Sequence, residues 1–155
     1  MADIIIRYAK SGDYEAVEHI MRQVQELHIA WRPDIYKDCE VVLPEAIFLQ
    51  EIEKECNIVA EWDGAVVGIL SFMLRHVESP HQVTRDVLFV DTLAVDEAFR
   101  GKGIGHALFD FAKELVVEKG LDGFELQVNA RNEKAMEMYK NYGFTEKSIN
   151  LELFV

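Results

Sequence analysis

The sequence predicts an α/β protein with helices packed around one mixed sheet, and three observations carry that expectation. Apolar residues recur at helical spacing in four separate stretches. Between them lie blocks that alternate or run continuously apolar, as strands do. The composition, 50% hydrophobic and 28% charged over 155 residues, is that of a globular chain. One core suffices at this length, so the expectation is a single domain over 1–155, with no repeat, low-complexity segment or linker.

Each element has its own local reason. Ile4, Ile5 and Ile6 are β-branched and open the chain as a strand, which Lys10-Ser11-Gly12-Asp13 interrupts. From Asp13 onward Val17, Ile20, Met21, Val24 and Leu27 fall on one face of a helix that Arg32-Pro33 stops. Pro44-Glu45 suits the first turn of a second helix whose buried side is Phe48, Leu49 and Ile52. Ile58 to Trp62 reads as a strand, Asp63-Gly64 as a tight turn, and Ala65 to Met73 as the returning strand, ended by Glu78-Ser79-Pro80. Val87 to Val90 with Leu93-Ala94-Val95 is too continuous for a strand with one wet face and belongs at the centre of the sheet. Ile104, Leu108, Phe111 and Leu115 mark a third helix that closes at Lys119-Gly120. Phe124, Leu126 and Val128 alternate as a strand. Ala135, Met138 and Tyr142 share one side of a short helix ended by Gly143, and Ile149, Leu151, Leu153 and Val155 read as a closing strand.

Composition narrows the function. The longest apolar stretch, Gly64 to Leu74, is well short of the roughly 20 residues a spanning helix needs. No basic region followed by an apolar run opens the chain, so a cytoplasmic protein without a membrane partner is expected. A net charge of −12 repels nucleic-acid backbones. Cys39 and Cys56 have neither redox nor zinc spacing, and His19, His76, His81 and His106 lack metal-ligand spacing, so no metal is expected. Residues 100–120 reverse the acidic trend, with four bases against three acids.

That locally basic segment is a glycine-rich turn between a buried strand and a helix: Arg100-Gly101-Lys102-Gly103-Ile104-Gly105-His106. The first amides of a helix have no intrahelical acceptor, and the peptide dipoles add partial positive charge there, so such a turn can hold a phosphate. Three glycines open the backbone, and Arg100 and Lys102 add charge. A nucleotide-hydrolysing P-loop is excluded because no Gly-Lys-Ser or Gly-Lys-Thr occurs at its spacing. A dinucleotide fingerprint fails because the sixth place counted from Gly101 is His106. A plain glycine-rich connection with two solvated bases stands beside the anion-site reading.

Together with the residues downstream of it, the segment resembles the acetyl-coenzyme A site of the GNAT N-acetyltransferase superfamily. Arg100, Gly103 and Gly105 match the family's Arg/Gln-x-x-Gly-x-Gly/Ala pattern, and Leu93-Ala94-Val95 matches the strand end before it. Asn132, Ala135, Met138-Tyr139 and Gly143-Phe144 match a second signature, and the element order agrees over the whole chain. The resemblance implies a single mixed, mostly antiparallel sheet flanked by helices and an acyl-CoA-dependent N-acyltransferase using acetyl-CoA as acyl donor. It implies that the sheet splays after Leu93-Ala94-Val95, where the pantetheine arm pairs with exposed backbone. The diphosphate would rest on the amides of Arg100, Gly101, Lys102, Gly103, Ile104, Gly105 and His106. Asn132 and the helix carrying Tyr139 would line the other side, while Asn129 is a looser match that caps that helix.

The implied reaction is direct attack of a primary amine on the thioester in a ternary complex. Making an ordinary alkyl ammonium neutral at pH 7 costs roughly 4–5 kcal/mol, so a proton acceptor is needed. Asp91, two residues before Leu93, matches an acidic position seen in some members and would act through water; a solvated or capping role is the other reading. Tyr139 is the candidate donor to the departing thiolate, and a tyrosine on the core face of a helix is its plainer reading. Candidates on the acceptor side are His28, Trp31, Arg32, Asp34 and Tyr36, and the acceptor is a small-molecule or peptide amine. A non-catalytic acyl-CoA-binding or regulatory module, or transfer of a longer acyl chain, are the alternatives. The C-terminal alternation makes a homodimer a further expectation.

Overall fold

The computed structural model describes residues 3–155. Five strands form one sheet in the order β1-β2-β3-β4-β5: β1 Ile4–Tyr8, β2 Asn57–Trp62, β3 Ala65–Ser79, β4 Gln82–Val95 and β5 Gly123–Leu126. The first three pairings are antiparallel and the last, β4 with β5, is parallel. That parallel step requires a crossover, which the helix between the two strands supplies. The helices are α1 Tyr14–Trp31, α2 Glu45–Glu53, α3 Ile104–Glu118 and α4 Glu133–Tyr142. This is the mixed, mostly antiparallel architecture expected.

The sheet is buried on both faces. Ile58, Ala60, Leu70 and Leu88 pack under α3, with its Leu108 and Phe109. Val59 and Ile69 point the other way, onto Val17 and Ile20 of α1 and Phe48 of α2. The period-two alternation of β2 thereby feeds both cores. α3 approaches β3 closely at Gly68, where a Cβ would lie 3.0 Å from Ile104 and 3.2 Å from Leu108. The expected β2–β3 turn is present, with positive φ at both Asp63 and Gly64, as a two-residue hairpin of this hand requires.

Several expectations are corrected. Pro44 lies one place earlier than the first helical turn, as the cap of α2, and Leu49 is exposed rather than buried. β4 begins at Gln82, because β3 and β4 continue as a two-stranded hairpin beyond the rest of the sheet. β5 ends at Leu126, leaving Val128 outside. On α3 the fully buried aromatic is Phe109, while Phe111 is half-buried against the ring edge of Tyr8.

The largest correction concerns the closing strand. Residues 143–155 form no strand among the described residues, and Leu151 and Leu153 are 90% and 86% exposed. Alternation supplies the side-chain pattern of a strand, but among the described residues this segment makes no backbone pairing with the free edge of β5. Among the described residues no helix is long and apolar enough to cross a membrane.

Candidate functional site

The site begins where two strands part. β4 stays paired with β3 as far as Val95, opposite Gly68, but it pairs with β5 only from Val87 to Val90. Parting therefore begins at Asp91, not after Leu93-Ala94-Val95, and those three residues form the open edge itself. A β-bulge on the β3 side falls at the same place. Phe72 faces Val90 and Ser71 faces Thr92, so Asp91 is the extra residue. Its side chain is exposed and makes no hydrogen bond among the described residues. An unpaired edge presents backbone N–H and C=O groups to any extended ligand that can pair with them.

The strand end is held by a network that periodicity alone did not single out. Gln23, buried on α1, accepts a hydrogen bond from the Glu97 amide at 2.9 Å and donates to Asp96 at 3.4 Å. Asp96 in turn accepts from the Ala98 amide at 3.0 Å. The available signal was a glutamine on an otherwise apolar helix face. Arg100 donates from Nε to the Val95 carbonyl at 3.1 Å, tying the turn to the open strand.

At the turn Gly101 and Gly103 have φ of 75° and 81°, a left-handed conformation that costs a residue with a Cβ about 1–2 kcal/mol. A Cβ at either position would meet nothing within 4 Å, so glycine is needed here for backbone angle rather than for room within the protein. Gly103 caps α3 without a side-chain bond, and the first helical bond runs from the Ala107 amide to the Gly103 carbonyl. The amides of Ile104, Gly105 and His106 consequently find no acceptor among the described residues. Lys102 carries its ammonium 5.5 Å from the Trp62 ring centroid, and His106 meets the Tyr142 ring at 4.8 Å. Three amides without acceptors and adjoining bases suit an anionic diphosphate.

α4 closes the far side. Asn132, not Asn129, caps this helix by accepting from the Ala135 amide at 3.2 Å; Asn129 instead accepts from Arg131 in the preceding loop. A Cβ built on Gly105 would lie 3.5 Å from the Met138 sulfur and 4.0 Å from Leu93, so the open strand, the turn and α4 converge there. Tyr142 donates to Asp110 at 2.8 Å, and burial together with that bond pushes its phenol up to about 12. Tyr139 packs its ring on Phe109 and Phe144, makes no hydroxyl hydrogen bond among the described residues, and is pushed up by burial. Of these two α4 phenols, Tyr139 is the one with an uncommitted proton.

The segment after α1 forms a separate polar group. His28 stacks on Tyr36 at 4.7 Å, and burial pushes its imidazole down, which favours the neutral ring. Arg32 donates to both oxygens of Asp34 and also to Glu152. Cys56 is half-buried, and burial, then Glu51 and Asp91, push its thiol up, the behaviour of a packing residue.

A model described as the acetyltransferase (GNAT) family matches residues 21–144. An uncharacterized N-acetyltransferase of Methanocaldococcus jannaschii is 32% identical over 102 residues, covering 66% of this chain and 44% of that protein. The L-amino acid N-acetyltransferase of Escherichia coli K12 is 29% identical over 150 residues, 93% of this chain and 84% of the other. A Bacillus halodurans protein, solved as a tetramutant, is 28% identical with a TM-score of 0.92, covering 97% of this chain and 99% of that one. An aminoglycoside N-acetyltransferase in complex with CoA has a TM-score of 0.73 at 17% identity over 100% of this chain and 96% of its own, a likeness of fold alone. The chain thus spans less than half the length of the archaeal relative and nearly all of the Bacillus structure.

Proposed function

The chain belongs to the acetyltransferase (GNAT) family, and from that premise we propose that it works as one domain, residues 1–155, moving an acetyl group from acetyl-CoA to a primary amine in a ternary complex. The observation that carries this reading is continuity: the open backbone edge at Asp91–Val95 runs into a turn followed by three amides without acceptors among the described residues. A coenzyme A thioester has the matching parts, a chain of amides ending in a diphosphate. Leu93, Ala94 and Val95 would pair with the amides, and Arg100 to His106 would hold the diphosphate.

The reacting groups follow from that placement. The thioester supplies an acyl carbon whose C–S bond breaks as the C–N bond to the amine forms. Asp91, exposed on its bulge, receives the proton lost by the amine through water. Tyr139 donates toward the departing sulfur. Reference values already make full transfer from a phenol near 10 to a thiolate near 8.5 uphill by about 2 kcal/mol, and the burial of Tyr139 increases that gap. The phenol therefore acts chiefly as a hydrogen-bond donor to developing charge.

The acidic surface, with a net charge of −12, favours a cationic small amine, and by the family resemblance it would enter near Asp34, His28 and Tyr36. The test is release of free thiol from acetyl-CoA across a panel of polyamines, aminoglycosides, amino-acid amines and peptides. Amine-dependent release is expected for at least one class. Saturable acetyl-CoA binding with no release for any would replace the enzyme by a binding module.

A further inference from the structure

On an acidic chain, one stretch of the sheet gathers positive charge. Leu88 and Val90 of β4 pack under α3, so alternation turns Phe89 and Asp91 to the opposite face, the one that α1 and α2 cover at Ala94. Phe89 has Met73 of β3 on one side and Glu125 of β5 on the other. Three bases converge on this row. Lys147 donates to Glu125 at 2.6 Å and Arg85 pairs with its second oxygen at 3.0 Å, so that carboxylate is held between two cations. Arg75 has no such partner. Its guanidinium lies 3.4 Å from the centroid of the Phe89 ring, and it makes no hydrogen bond or ion pair among the described residues.

We propose that Arg75 receives a carboxylate of the acceptor, which makes the acceptor an amino acid bound with its amine toward Asp91; this rests on the acetyl transfer proposed above. A guanidinium stacked on an aromatic ring keeps its N–H donors in the plane of the stack, where they form a fork that matches the two oxygens of a carboxylate. The ring contact leaves every donor unused. Arg75 is also exposed, so a ligand can reach it. The spacing suits a compact molecule: Asp91 stands two residues from Phe89, roughly 7 Å along the strand, a span that an amino acid fills with a salt bridge at one end and a water at the other. The net charge of −12 draws amines to the molecule as a whole, while the local excess of bases holds an anion. An acceptor that carries both groups uses both fields, whereas a polyamine would leave Arg75 facing like charge.

Binding is tested apart from turnover. In the presence of coenzyme A, the standard amino acids are compared with their carboxamides, which keep the amine and lose the anion, by the shift each produces in thermal unfolding of the full chain. At least one free acid should raise Tm more than its carboxamide does, and Arg75→Gln should abolish the difference. Equal shifts throughout, or a difference that survives Arg75→Gln, overturns the proposal. Arg75→Lys keeps the charge and loses the fork, so it should weaken the preference, and an undiminished preference there also overturns the proposal. Thiol release from acetyl-CoA gives the second reading: the acid-to-carboxamide ratio of kcat/KM should fall roughly tenfold or more in Arg75→Gln, through KM rather than kcat. Release whose acid-to-carboxamide ratio ignores Arg75→Gln overturns the carboxylate site and leaves the acetyl transfer standing. Acid-specific binding without any release does the reverse.

Discussion

α3 fully buries six of its residues, Ile104, Leu108, Phe109, Ala112, Leu115 and Val116, whereas α4, ten residues long, fully buries none and has Met138, Tyr139 and Tyr142 only partly covered. The same contrast separates β2, buried over Asn57–Ala60, from β5, which is half-exposed throughout. One half of the molecule is fixed by packing on both faces of the sheet. The other is held by a cap at Asn132, a ring cluster around Phe109 and a few ion pairs. The proposed chemistry sits on the seam, with the turn supplied by the packed half and the phenol by the open one. A site that must admit a long ligand between two elements cannot have both of them packed tightly together.

The sharpest way to break this contrast is at the phenol. Tyr139→Phe should lower kcat by roughly 10²–10⁴ with little change in acetyl-CoA affinity, because the ring contacts remain and only the donor is lost. Unchanged turnover would assign Tyr139 to packing alone. The pH profile adds an independent reading. Tyr139 donates while protonated, and burial raises its pKa above the ordinary value of about 10, so any decline in kcat from its ionisation should be centred above pH 10. A fall centred at or below pH 10 that disappears in Tyr139→Phe would contradict the raised pKa and leave the donor role in place.

Stability should divide along the same line. Phe109→Ala opens a fully buried site and should cost about 3–5 kcal/mol, while Phe124→Ala on half-buried β5 should cost roughly half as much. Denaturant midpoints measure both, and equal losses would erase the distinction between the halves. Within the turn the glycines should also separate. Gly103→Ala must accept a left-handed backbone and should lose about 1–2 kcal/mol, lowering Tm by roughly 2–8 °C. Gly105 is helical, and its new Cβ would meet Met138 at an ordinary 3.5 Å, so Gly105→Ala should be neutral or slightly stabilising by the same thermal measurement.

The smallest effect lies far from the site, at the outer end of the β3–β4 hairpin. His76 contacts Glu78 at 2.9 Å and Asp86 at 2.6 Å, which raise its pKa above 6.5. Stability from this group is fully present below the unfolded value of about 6.5 and fades as pH rises through the folded one. The exposed setting keeps it slight. An NMR titration of the ring should give a midpoint above 6.5, and a midpoint at or below it would remove both contacts.

The packed half was largely legible in the sequence because periodicity reports burial: Val17 and Ile20 on α1, the β2–β3 hairpin with its Asp63-Gly64 turn, and Ile104, Leu108 and Leu115 on α3 appear where spacing puts them, while Gln23 and Phe109 take buried places that spacing did not assign. The glycine-rich turn was legible for a different reason, since positive φ restricts the residue type at Gly101 and Gly103. The bulge at Asp91 left no such mark, because a register slip depends on how two strands align and on neither sequence alone. Residues 149–155 show the limit of pattern reading from the other side. Their alternation is strand-like, but a side-chain pattern does not by itself make the backbone pairing, and none forms along the free edge of β5.

Hydrogen exchange with and without coenzyme A tests the central placement most directly. Added coenzyme should slow the backbone amides of Leu93–Val95 and of Ile104–His106 together, leaving β1 and β2 unchanged. Saturable binding that protects neither stretch, or protects only residues remote from the parted strands, would contradict it.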